Sequence, residues 1–98
     1  MKTLTIIGRR WFQKTYGNTY FTADIIVDGE LIHTLPFQYG YEDHYLDVAN
    51  DWLSDHGYLD NPRSESTGSR QPLWQKARDE MGVKFHYSAT DVQRKKDL

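Results

Sequence analysis

Three early segments of the chain are dense in β-branched and aromatic residues, and each predicts a strand. Residues 3–14 carry Thr3, Leu4, Thr5, Ile6 and Ile7, then Trp11 and Phe12. Residues 20–27 and 30–37 follow, joined by Asp28-Gly29, a strong two-residue hairpin signal. Tyr16-Gly17-Asn18-Thr19 predicts the turn between the first two strands, since Gly and Asn tolerate positive φ. Pro36 has no amide hydrogen and limits where the third strand can end in a sheet.

The period then changes. Tyr45, Val48, Ala49, Trp52 and Leu53 recur at helical spacing and form one apolar stripe over residues 42–56, which places Trp52 in the core. Gly57 is positioned to end this helix. Residues 60–71 predict an exposed, mobile loop. Pro72 suits the first position of a second helix over residues 72–81, with Leu73, Trp74, Ala77 and Met81 on one face and Gly82 as its stop. Val83, Phe85 and Tyr87 alternate with Lys84, His86 and Ser88 as a last strand, and residues 91–98 read as a charged tail, a continuation of that strand or a frayed turn. The order β-β-β-α-α-β predicts an α+β fold, a mostly antiparallel sheet with two helices packed on one face. The 98 residues make a single domain with one modest core, which the three Trp on separate elements are expected to share.

Composition narrows the chemistry. Aromatic residues make up 14% of the chain, too many for a disordered one. There is no cysteine, which excludes a disulfide framework and a thiolate zinc site. The N-terminal apolar run is too short for a signal peptide, and no run approaches the ~18 residues of a membrane span. A soluble protein of the cytoplasm is the expectation, with no membrane contact.

The charges are segregated. Residues 1–14 hold Lys2, Arg9, Arg10 and Lys14 and no acid, whereas residues 15–62 hold Asp24, Asp28, Glu30, Glu42, Asp43, Asp47, Asp51, Asp55 and Asp60 and no Lys or Arg. Segregated charge creates local potentials that steer association. Asp43, Asp47, Asp51 and Asp55 recur every four residues, an anionic strip ~18 Å long on the first helix. Like charges at this spacing cost a few tenths of a kcal/mol per pair, so local stability does not select the row. It reads as a surface for a basic partner, imitating nucleic-acid phosphates, or as a solvated face balanced by Arg9, Arg10 or the C-terminal basics. Tyr39 and Tyr41, beside it, suit a protein-recognition surface.

Arg9, Arg10, Lys14 and Tyr16 lie in a second candidate, the basic and aromatic segment 9–20, where cations meet phosphates and rings meet bases. Trp and Phe there equally serve a core. Asp24 and His33 are expected opposite one another across the hairpin, as a polar pair or an acid/base element. No motif supplies a nucleophile, a spaced metal-ligand set or a phosphate cradle, so the expectation is no catalytic residue, no metal and no cofactor.

Segments 10–20, 36–41 and 91–98 resemble small proteins of tailed phages and prophages whose chemistry is unassigned. The resemblance implies a host-takeover factor, a class that includes CRISPR inhibitors, and implies no particular residue role. Together these readings anticipate a non-enzymatic protein of the host cytoplasm. It would bind a host protein with a basic surface, a CRISPR effector being one such, through Asp43, Asp47, Asp51, Asp55, Tyr39 and Tyr41, occluding a basic nucleic-acid groove. The alternative is a small nucleic-acid-binding accessory protein working through Arg9, Arg10, Lys14 and Tyr16.

Overall fold

The computed structural model describes all residues, Met1–Leu98. Four strands form one sheet: β1 (Thr3–Gln13), β2 (Asn18–Val27), β3 (Glu30–Tyr39) and β4 (Lys84–Val92), in the order β3-β2-β1-β4. One α-helix, α1 (His44–Asp55), and a π-helical segment (Gln75–Glu80) lie between β3 and β4. The fold is α+β, and the sheet is mixed. β1–β2 and β2–β3 pair antiparallel, whereas β4 runs parallel to β1 from Thr3↔Lys84 to Trp11↔Val92. The reason is topological. β3 and β4 run the same way at opposite edges, so residues 40–83 carry the chain across one face, and that crossover holds the helices.

The β2–β3 hairpin turns at Asp28 (φ 51°) and Gly29 (φ 81°), both in the left-handed region that a tight two-residue hairpin demands. Asp28 also accepts hydrogen bonds from the amides of Lys2 and Thr3 (2.9 Å for Thr3), which fastens the start of β1 to the turn. These bonds hold its carboxyl below the usual carboxylate range.

Side chains alternate across the sheet. Leu4, Ile6, Phe21, Ala23, Ile25, Leu35 and Phe85 face the helices and join Tyr45, Ala49, Leu53, Leu59, Leu73, Ala77 and Val83 in one core. Tyr45 lies on Gly8, where a Cβ would come within 2.9 Å of its ring, so only glycine admits the tyrosine. Burial pushes the Tyr45 hydroxyl above its usual range, with the Asp43 charge adding to the effect.

The three Trp do not form the shared core. Trp52 is half-buried against it, Trp11 lies on the sheet face away from the helices, and Trp74 is 49% exposed. The second helical region differs too. It winds with Met81 N–H donating to Lys76 O, a five-residue span, before Gly82 (φ 66°) stops it. In this winding Arg78 Nη2 reaches the Phe85 carbonyl at 2.8 Å.

The loop after α1 is exposed over residues 62–69 but anchored at both ends. Buried Asn61 and Asn50 share the Gln71 carbonyl at 3.0 and 2.9 Å, and Asn61 Nδ2 donates to Asn50 Oδ1 at 3.0 Å. Arg70, its side chain only 13% exposed, donates to Asn61 O, Asp51 and Asp55 at 2.7, 2.8 and 3.0 Å.

Candidate protein-binding groove

The acidic row divides in space. Its C-terminal half is neutralised: Asp51 takes Arg63 at 3.1 Å and Arg70 at 2.8 Å, and Asp55 takes Arg70 at 3.0 Å. The balancing cations come from the loop, not from Arg9, Arg10 or the C-terminal basics. Its N-terminal half is free. Asp43 precedes α1 as the N-cap yet its carboxylate makes no capping bond, and Asp47 meets only His44, at 3.9 Å.

These two acids rim a groove of about 700 Å³. Tyr41, Trp74 and Tyr87 wall it, with Leu46, Leu73 and Phe85 beneath; Tyr39 borders it, its ring packed edge-on against Tyr20 at 5.9 Å on the opposite sheet face. The three wall rings are 49–59% exposed, a concentration of aromatic surface that a solvated domain has no folding reason to keep open. Glu42 lines the groove as well. Its φ of 53° places a non-glycine residue in the left-handed region, so the corner into α1 is strained. Gly40 permits the corner, because a Cβ there would come within 2.6 Å of His44 and 2.7 Å of Phe21. Arg10 holds it, donating to Glu42 O at 3.0 Å and to Asp91 at 2.9 Å. Carboxylates beside aromatic faces suit one kind of guest, a Lys or Arg side chain, whose charge the acids balance and whose cation the rings stack. Of the residues expected to bind a partner, the structure brings Tyr41, Asp43 and Asp47 together at the groove, turns the Tyr39 ring to the opposite sheet face, and separates Asp51 and Asp55. Spacing places Trp74 and Tyr87 in helix and strand packing; their aromatic character is legible in the sequence, their exposure is not.

The basic-aromatic segment is occupied internally. Arg9 clamps Asp24 through two bonds of 3.0 and 3.1 Å and reaches Thr22 at 3.1 Å, on the face opposite Arg10. The guanidinium holds the Asp24 carboxyl below its usual range. Lys14 and Tyr16 stand exposed in the β1–β2 connection. Trp11, Tyr20 and Phe37 stack on one another at 6.0 and 4.9 Å, and Lys95 covers Phe37 at 4.8 Å, so the faces of Tyr20 and Phe37 are already taken.

Asp24 and His33 are not opposite each other. A bulge adds Ile32, so Asp24 pairs with Thr34 and His33 with Ile25. The one-residue shift sends His33 to the helix face, where it stacks on Trp52 at 4.4 Å.

No cluster of three or more His, Asp or Glu converges in metal-holding geometry. No helix is long and apolar enough to cross a membrane. Compared with protein-family models, curated proteins and solved structures, the chain matches none.

Proposed function

We propose that this protein is a non-enzymatic binding module whose aromatic groove, rimmed by Asp43 and Asp47, receives cationic side chains of a protein partner. One observation carries the reading: free carboxylates and exposed rings share a single concavity, while the other acids of the row are cancelled by Arg63 and Arg70. In the phage setting that the sequence resemblance implies, the partner class is a host protein with a basic nucleic-acid groove, a CRISPR effector being one such. The acids take the place of phosphates there, and the bulk of the domain blocks the groove.

The test is fluorescence anisotropy with a labelled arginine-rich peptide and, separately, a labelled single-stranded oligonucleotide. The peptide binds, and the double variant Asp43→Asn/Asp47→Asn weakens it by about tenfold. Binding of the oligonucleotide in preference to the peptide, or a peptide affinity indifferent to that double variant, defeats the proposal.

A further inference from the structure

The two edges of the sheet are unlike. β3 carries two register shifts and Pro36, both devices that spoil an edge for further pairing. β4 has neither. It is in register with β1 over all nine residues and contains no proline.

The direction of the free backbone groups follows from one bond. Lys84 N–H donates to Lys2 O at 3.0 Å, which turns the amides of Lys84, His86, Ser88 and Thr90 towards β1. Those of Phe85, Tyr87, Ala89 and Asp91 therefore point away from the sheet. Arg78 already occupies the Phe85 carbonyl. The peptide groups of Tyr87, Ala89 and Asp91 remain as a free edge beside the groove, since Phe85 and Tyr87 of this same strand line it.

We infer that the partner binds by strand addition: an extended segment pairs with the outer edge of β4 and inserts alternate Lys or Arg side chains into the groove. This rests on the groove being the binding site. Alternation supplies the geometry, because every second residue of an added strand projects on the helix side, where Tyr87, Trp74, Asp43 and Asp47 stand. Charge selects the occupant. A second copy of β4 would present Phe85, Tyr87, Ala89 and Asp91 on that side, none of them cationic, and Asp91 would add a like charge.

The experiment uses the full chain and a labelled octapeptide alternating lysine and valine. In one version all lysine amides are N-methylated, in another all valine amides. On an added strand one set of amides faces β4 and the other faces away, so one version loses affinity by about tenfold or more while the other keeps it. The version that fails also reports the direction of the strand. Ala89→Pro, which removes an outward amide without a partner, weakens the unmodified peptide similarly while the circular dichroism stays native. Should that variant not fold, the methylated peptides decide alone. Equal behaviour of the two methylated peptides overturns strand addition and leaves the groove reading in place. Failure of the unmodified peptide to bind at all overturns the groove reading, and strand addition with it. A dimer in sedimentation analysis that Ala89→Pro abolishes gives the edge to a second copy and overturns the basic occupant.

Discussion

Trp52 is sandwiched between His33 at 4.4 Å and His56 at 4.1 Å, with planes within 17° of parallel, and Tyr58 follows at 5.8 Å. The imidazoles cover faces that a core residue would give to aliphatic neighbours. Trp52→Ala is therefore expected to cost about 2 kcal/mol, below the ~3–5 kcal/mol of a fully enclosed ring. A urea titration measures it, and a loss above that range would mean the ring is enclosed. Asp24 makes a pH prediction. Arg9 lowers its folded-state carboxyl, so near pH 4 the unfolded chain binds more protons than the folded one. The stabilisation is complete above the unfolded value, about pH 4, and is lost as pH falls through the folded one. Asp24→Asn should lower the melting temperature at neutral pH and flatten its decline below about pH 4. An unchanged acid profile would show that the clamp contributes nothing. The helical position of Trp52 was legible from its spacing. Its imidazole partner His33 was not, because one bulge residue decides the face and no local pattern announces it.

α1 is one helix with two kinds of acid, and on the proposed reading folding and binding separate along it. Arg70 is nearly enclosed and bridges Asp51, Asp55 and the Asn61 carbonyl. Arg70→Ala should destabilise by about 2 kcal/mol, since it leaves charged and buried acceptors unmet. Asp51→Asn/Asp55→Asn should lose about 1 kcal/mol, the scale of partly exposed ion pairs. Asp47→Asn should leave the melt unchanged, because its only partner is a distant imidazole. Thermal melts of the three variants check this division, and equal melting temperatures for the two acid variants would contradict it. The helix, its stripe and its Gly57 stop were readable from spacing alone. The split of the acidic row was not, because Arg63 and Arg70 sit in a loop whose path depends on the buried Asn50–Asn61 contact. Composition likewise located the Asp28-Gly29 hairpin but not the π-helical winding, since Leu73 and Ala77 fit either helix.

Pairing across the fold relieves only part of the charge segregation seen along the chain: of the nine acids in residues 15–62, Asp24, Asp51 and Asp55 meet an Arg. Arg9 cancels Asp24, Arg10 cancels Asp91, Lys76 cancels Glu80 and Arg94 cancels Asp97. Of these, Arg9–Asp24 needs the β1–β2 hairpin and Arg10–Asp91 the parallel β1–β4 register, which hydrophobic periodicity does not encode, whereas Lys76–Glu80 and Arg94–Asp97 are i,i+4 and i,i+3 neighbours. Glu42, Asp43 and Asp47 remain together without a Lys or Arg bridge, and the groove they line is, on the proposed reading, the source of long-range attraction for a basic partner. Association with an arginine-rich peptide should therefore slow as salt rises from about 0.05 to 0.3 M, where the screening length shortens from ~14 to ~6 Å, while dissociation changes less. Asp43→Asn/Asp47→Asn should flatten that dependence. Asp51→Asn/Asp55→Asn adds the same two units of charge by freeing Arg63 and Arg70, but away from the groove, so it should flatten the dependence less. Stopped-flow association rates across the salt series distinguish these outcomes. A salt slope that follows Asp51 and Asp55 instead of Asp43 and Asp47 would place the attractive field on the clamped half of the helix and remove the groove as the docking surface.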